Sequence, residues 1–67
     1  MKATDRELVD ALCEIESGLS DDEIDFVEYT SSAVIDVHRE LTAAEIRRGV
    51  GILRRLRRKV PKGLQRG

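Results

Sequence analysis

Three segments of the chain place a hydroxyl three residues ahead of a glutamate: Thr4-Asp5-Arg6-Glu7, Ser20-Asp21-Asp22-Glu23 and Thr42-Ala43-Ala44-Glu45. This is the capping-box spacing. The hydroxyl accepts from the amide three residues on, and the glutamate reaches back to the amide of the capping residue. Each box is followed by apolar residues at helical spacing. Leu8, Leu12 and Ile15 follow the first, with Ala11 and Leu19 beside them. Ile24, Val27, Ser31, Val34 and His38 follow the second, with Phe26 and Ile35 at the margins. Ile46, Gly49, Val50, Leu53, Leu56 and Val60 follow the third. Three starts with three apolar stripes predict an all-α, three-helix bundle in a single domain, residues 1–67.

The stops are written as clearly. Gly18 can turn left-handed after a first helix over residues 5–17. The second helix is expected over 21–37, with Tyr29-Thr30-Ser31-Ser32 as the place for a bend because these are poor helix formers. Val34-Ile35-Asp36-Val37 has the composition of a strand, but one isolated strand has nothing to pair with. The third helix is expected over 43–60, ended by Pro61. Leu41 is placed to staple onto Ile46, and residues 61–67 read as a frayed basic tail. The second helix is too long, and the connection after it too poor in glycine, for a helix-turn-helix motif.

A chain of 67 residues hides only about 60% of the surface its unfolded form exposes. Its one cysteine, Cys13, allows no internal disulfide. Self-association is therefore a natural route to further burial, and a homodimer is one expectation.

A net charge of −1 conceals a division. Residues 1–36 hold eleven acidic and two basic side chains, and residues 37–67 hold ten basic and two acidic ones. On a third helix, Arg47, Arg48, Arg54, Arg55, Arg58 and Lys59 fall on one side, with Gly51 at the middle of their arc. Mid-helix glycine costs about 1 kcal/mol relative to alanine, so a packing or approach reason is expected for it. Bare backbone amid guanidinium groups lets a phosphate come close, and arginine grips phosphate with two parallel hydrogen bonds. The reading is contact with nucleic-acid phosphates by Arg47, Arg48, Gly51, Arg54, Arg55, Arg58 and Lys59. The competing reading is a solvated face, or pairing with the chain's own acids. Aromatic residues for stacking on bases are nearly absent, which disfavours single strands. Gly49 lies on the apolar side and fits close packing against another helix.

The run Asp21, Asp22, Asp25 and Glu28 forms an acidic partner surface that can stand in for a polyanion on a basic protein. It lacks the alternating ligands and turn glycine of a calcium loop. A bland alternative is compensation of the helix dipole. A third possibility is a dimer in which the acidic half of one copy faces the basic helix of the other. Cys13, adjoining the apolar stripe of the first helix, reads as a small core residue and His38 as a cation ending the second helix. Without a third group they make no catalytic centre, and they fall short of a zinc site. Phe26 and Tyr29 read as core and core-edge residues. The expectation is a non-enzymatic protein with no cofactor and no metal. No apolar run approaches a membrane span, and the N-terminus lacks the apolar core of a signal peptide, which points to the cytoplasm.

The run Gly18-Leu19-Ser20-Asp21-Asp22-Glu23-Ile24-Asp25-Phe26, followed by Leu41-Thr42-Ala43-Ala44-Glu45, resembles small helical proteins encoded in phage genomes. Those proteins often carry G-L-S-D-x-E-I-x-F and then L-T with glutamine or glutamate three residues later. The resemblance covers about residues 15–56. Glu45 stands where glutamine is commoner, and the arginine density of the third helix departs from the pattern. The resemblance implies a small accessory binding protein in a phage setting. It brings no catalytic residues, and it makes obstruction of a host nucleic-acid-handling or defence complex a natural role.

Overall fold

The computed structural model describes residues 3–64. Helix α1 spans Ala3–Cys13, α2 spans Asp21–Ser31 and α3 spans Ala43–Arg55. A π-helical turn, Ser32–Asp36, extends α2, and a 3-10 turn, Lys62–Leu64, follows α3. The fold is an all-α three-helix bundle. The first helix packs against α2, the π-turn and α3, so it is the element around which the others gather. Leu8, Leu12, Val34 and Leu53 are fully buried there, joined by Val9, Val27, Val50, Ile52 and Val60.

Two of the three capping boxes form. Ser20 Oγ accepts from the Glu23 amide at 3.2 Å, and Glu23 Oε1 accepts from the Ser20 amide at 2.8 Å. Thr42 and Glu45 repeat both bonds at the same distances. The box expected at Thr4–Glu7 does not, because α1 already runs through Thr4. Asp5 is engaged elsewhere. Its side chain is buried, and Oδ2 accepts the Leu41 amide at 3.0 Å, tying α1 to the connection before α3. Leu41 is itself buried in the core.

The first helix ends four residues earlier than the 5–17 expected, and Gly18 serves the connection instead of the cap. Its φ is +94°, and a Cβ there would sit 3.0 Å from a Leu56 methyl. Leu19 and Leu56 are half-buried beside this turn.

The 21–37 helix is α-helical only to Ser31. Buried Thr30 turns its hydroxyl onto the Phe26 and Val27 carbonyls at 2.9 and 3.2 Å, a back-bond that competes with the regular ladder and favours bending. The ladder then widens, with the Val37 amide donating to Ser32 O. Ala33 and Val34 are thereby buried while Ile35 and Val37 face outward. His38 adopts φ +60°, and the Arg39 amide closes the end on Ala33 O.

The third helix stops at Arg55, not at 59 or 60, and Pro61 is not what stops it. Arg57 takes the left-handed conformation, φ +56°. The Arg57 amide donates to Arg54 O and the Arg58 amide to Leu53 O, the two bonds of a Schellman motif. Leu56 already lies against the α1–α2 connection, so a longer helix would pass the end of the core. Reversal instead buries Val60 and brings Gly63 onto Thr4, where a Cβ would lie 2.5 Å from the threonine methyl. The expected frayed tail is therefore docked on α1 as far as Leu64, which is half-buried. Residues 65–67 lie outside the described residues.

Among the described residues no helix is long and apolar enough to cross a membrane. Two substitutions test this account by denaturant unfolding. Arg57→Gly relieves a left-handed non-glycine residue and is expected to raise stability by about 1 kcal/mol. Asp5→Ala strands the Leu41 amide in the interior and is expected to lower it by about 1–3 kcal/mol.

Candidate nucleic-acid interface

The rotation of α3 about its own axis decides which residues face outward. Gly49 is buried, and a Cβ added there would meet Leu8 and Leu12 side chains at 3.1–3.3 Å. The glycine thus lets α1 seat its two leucines against bare backbone. With Gly49, Val50, Ile52 and Leu53 buried, Ala43, Ala44, Arg47, Arg48, Gly51, Arg54 and Arg55 remain exposed. Burial of Ile52 was not foreseen from the stripe. It borders the flank that Arg48 covers, where a residue in sequence reads as interfacial only once the neighbouring helix is placed.

Stepping 100° per residue, Ala44 and Gly51 form a small-residue strip along the outer face. Arg47 and Arg54 stand on one side of it, Arg48 and Arg55 on the other. Each pair is two turns apart, about 10.5 Å along the axis. The acid of this helix, Glu45, is turned away to the half-buried clasp described below. A Cβ on Gly51 would meet nothing within 4 Å among the described residues, and Gly51 lines an open groove with Arg47, Arg54, Gly63 and Leu64.

The four arginines are not equally available. Arg47 meets no carboxylate at ion-pair distance among the described residues. Arg48 stacks its guanidinium over the Phe26 ring, 4.7 Å from its centre, while the residue as a whole stays exposed. Arg55 donates to Glu23 and, at 3.3 Å, to Gly18 O. It therefore clasps the start of α2 to α3. Internal pairing, one of the two alternatives raised by the sequence, thus claims Arg55.

Arg58 and Lys59 do not belong to the ridge in which the sequence placed them. The reversal after Leu56 turns them towards α1. Arg58 lines a groove with Glu14 and Glu16, and Lys59 lines another with Lys62, Glu7, Asp10 and Glu14.

A second clasp was invisible in the sequence. Arg39 grips Glu45 with two parallel bonds, Nη2 to Oε2 at 3.0 Å and Nη1 to Oε1 at 3.2 Å. Arg39 Nη2 also reaches the Tyr29 hydroxyl at 3.4 Å, and the guanidinium lies 5.6 Å from the ring centre. Tyr29 is thus an exposed partner of Arg39, not a core-edge residue. The Arg39 bonds, then the Thr42 amide, hold the Glu45 carboxyl below the usual glutamate range. The Ser20 amide, then Arg55, does the same for Glu23.

On the acidic side, Asp21, Asp22, Asp25 and Glu28 are all exposed on α2. Asp22 and Asp25 share a groove with Phe26, Tyr29, Ala44, Glu45 and Arg48, so they border the basic face. Cys13 is exposed, with its sulfur 3.8 Å from Ser31 Oγ, rather than set in the core. His38 is exposed at the end of the π-turn. Among the described residues no group of three or more His, Cys, Asp or Glu is arranged to hold a metal ion.

Two measurements follow. Gly51→Ala adds a methyl into open space on a helix and is expected to raise stability by about 1 kcal/mol. Because both clasped glutamates are depressed in the folded state, the stability they give is complete above their ordinary pKa, about 4.3, and is lost as pH falls through the folded values. Glu45→Gln keeps the capping box but loses the ion pair. Its stability is expected to fall at neutral pH and to vary less with pH in acid than that of the parent. No family model, no curated protein and no solved structure matches the chain, so the arrangement of its own residues carries the functional argument.

Proposed function

We propose that the protein is a small, non-enzymatic binding protein of the cytoplasm that grips the phosphate backbone of duplex nucleic acid with the outer face of α3. The observation that carries this reading is the bare Ala44–Gly51 strip flanked by Arg47 and Arg54 on one side and Arg48 and Arg55 on the other. Guanidinium groups bind phosphate oxygens in pairs, and a missing side chain at the centre lets a backbone approach. Arg48 is held in place by Phe26, which lowers the conformational cost of engaging an anion. The footprint centres on Arg47 and Arg48 beside Gly51, with Arg54 and Arg55 at its far end, where Arg55 is already engaged by Glu23. Arg58 and Lys59 contribute long-range attraction from the side of α1. Contacts of this kind read no sequence, so binding is general for duplexes.

A second reading is an inhibitor of the phage type, docked by charge complementarity on a host nucleic-acid-handling or defence complex. The exposure of Asp21, Asp22, Asp25 and Glu28 along one helix favours it, since a row of carboxylates can occupy a phosphate-binding cleft.

Fluorescence anisotropy with unrelated DNA and RNA duplexes, repeated over a range of salt, separates the two. For phosphate binding, affinity falls steeply with salt and depends little on sequence. Arg47→Ala with Arg48→Ala is expected to reduce the slope of log affinity against log salt by about 2. Absence of binding even at low salt overturns the phosphate reading.

A further inference from the structure

The α1–α2 side of the molecule carries a different kind of surface. Where α1 ends and the chain turns into α2, a cleft of about 300 Å³ opens. Leu12, Cys13, Ile15, Leu19, Ile24 and Val27 give it an apolar lining. Leu12 and Val27 are buried at its floor, whereas Ile24 stands at its rim with 43% of its surface exposed. Glu16 and Glu28 line the same cleft, and among the described residues none of its lining is basic. Asp21 lies one helical turn before Ile24 and extends the acidic border on the α2 side, whereas beyond Glu16 the next groove carries Arg58 beside Glu14. The nearby Arg55 is turned onto Glu23 and the Gly18 carbonyl, which braces the wall formed by the connection.

An apolar floor inside an acidic border has a definite complement. We propose that this cleft docks a basic amphipathic helix of a partner protein, with one or two aliphatic side chains in the cleft and Lys or Arg one turn away facing Glu16 and Glu28. The volume suits one or two such side chains, as when a helix lays its apolar face into a groove. The carboxylates steer the approach and reject acidic segments. The α3 helix of a second copy fits poorly as occupant: its exposed face is basic, but offers only alanine and glycine where an aliphatic side chain is needed. The inference does not rest on phosphate binding by α3. It gives the acidic half of the chain a partner of stated chemistry.

The test uses isotopically labelled full-length protein and a synthetic helical peptide of leucine and lysine. Amide shifts are expected to concentrate at Leu12–Leu19 and Ile24–Glu28. Replacing the peptide's leucines by alanine, or its lysines by glutamate, is expected to weaken binding about tenfold or more. Ile24→Ser is expected to weaken it by a similar factor, with duplex binding and thermal midpoint unchanged. If Ile24→Ser unfolds the domain, Glu16→Gln with Glu28→Gln supplies the same comparison. The proposal is overturned by shifts scattered over the acidic surface, by equal affinity for the alanine peptide, or by no binding. It is equally overturned if the protein self-associates and Ile24→Ser makes it monomeric, because the occupant is then a second copy.

Discussion

Everything on the outer surface of α3 follows from the seat of Gly49 against Leu8 and Leu12. Side chains in a close-packed interior admit few alternative arrangements, so a contact this close to bare backbone favours one rotation of the helix. Once that face is set, the arginines have no choice of side. The same contact leaves Gly51, two residues on, facing solvent. Two glycines in one helix thus have opposite uses. The first brings another helix close, and the second leaves the outside bare.

Around this seat, two glutamates each serve two partners with one carboxylate. Glu23 closes the cap of α2 and receives Arg55 from α3; Glu45 closes the cap of α3 and receives Arg39 from the preceding connection. A local signal for starting a helix is thereby made into a tertiary link. Ion pairs with exposed partners give little stability alone, and Arg55 is half exposed. Their larger effect is on geometry, since they fix the rotation and spacing of helix starts that apolar packing already brings together. They also withdraw some positive charge from the outer face, leaving Arg47 as its least encumbered cation.

The three-helix architecture was legible because caps and apolar periodicity are local signals. The Ser20 and Thr42 boxes, the packing glycine at 49 and the outward arginines of α3 could all be read from spacing. What escaped depends on residues far apart in sequence. Thr4 has the right neighbours for a cap, yet Asp5 answers to Leu41 and the helix starts earlier. Pro61 looks like the stop of α3, yet the end of the core comes first, and Arg57 accepts a conformation that glycine usually fills. That reversal removed Arg58 and Lys59 from the ridge. Arg39 gave no signal, because its carboxylate lies across a turn rather than one helical step away. The apolar cleft beside Ile24 was likewise hidden, since Ile24 reads as an ordinary member of the core stripe.

The bond from the Leu41 amide to Asp5 spans 36 positions of sequence. Leu41 is buried, so water reaches this amide only when the first turn of α1 moves away. Local fraying of α2 or of the chain after α3 leaves the bond intact. Hydrogen exchange at this single site therefore reports the release of the first turn of α1 from the connection before α3.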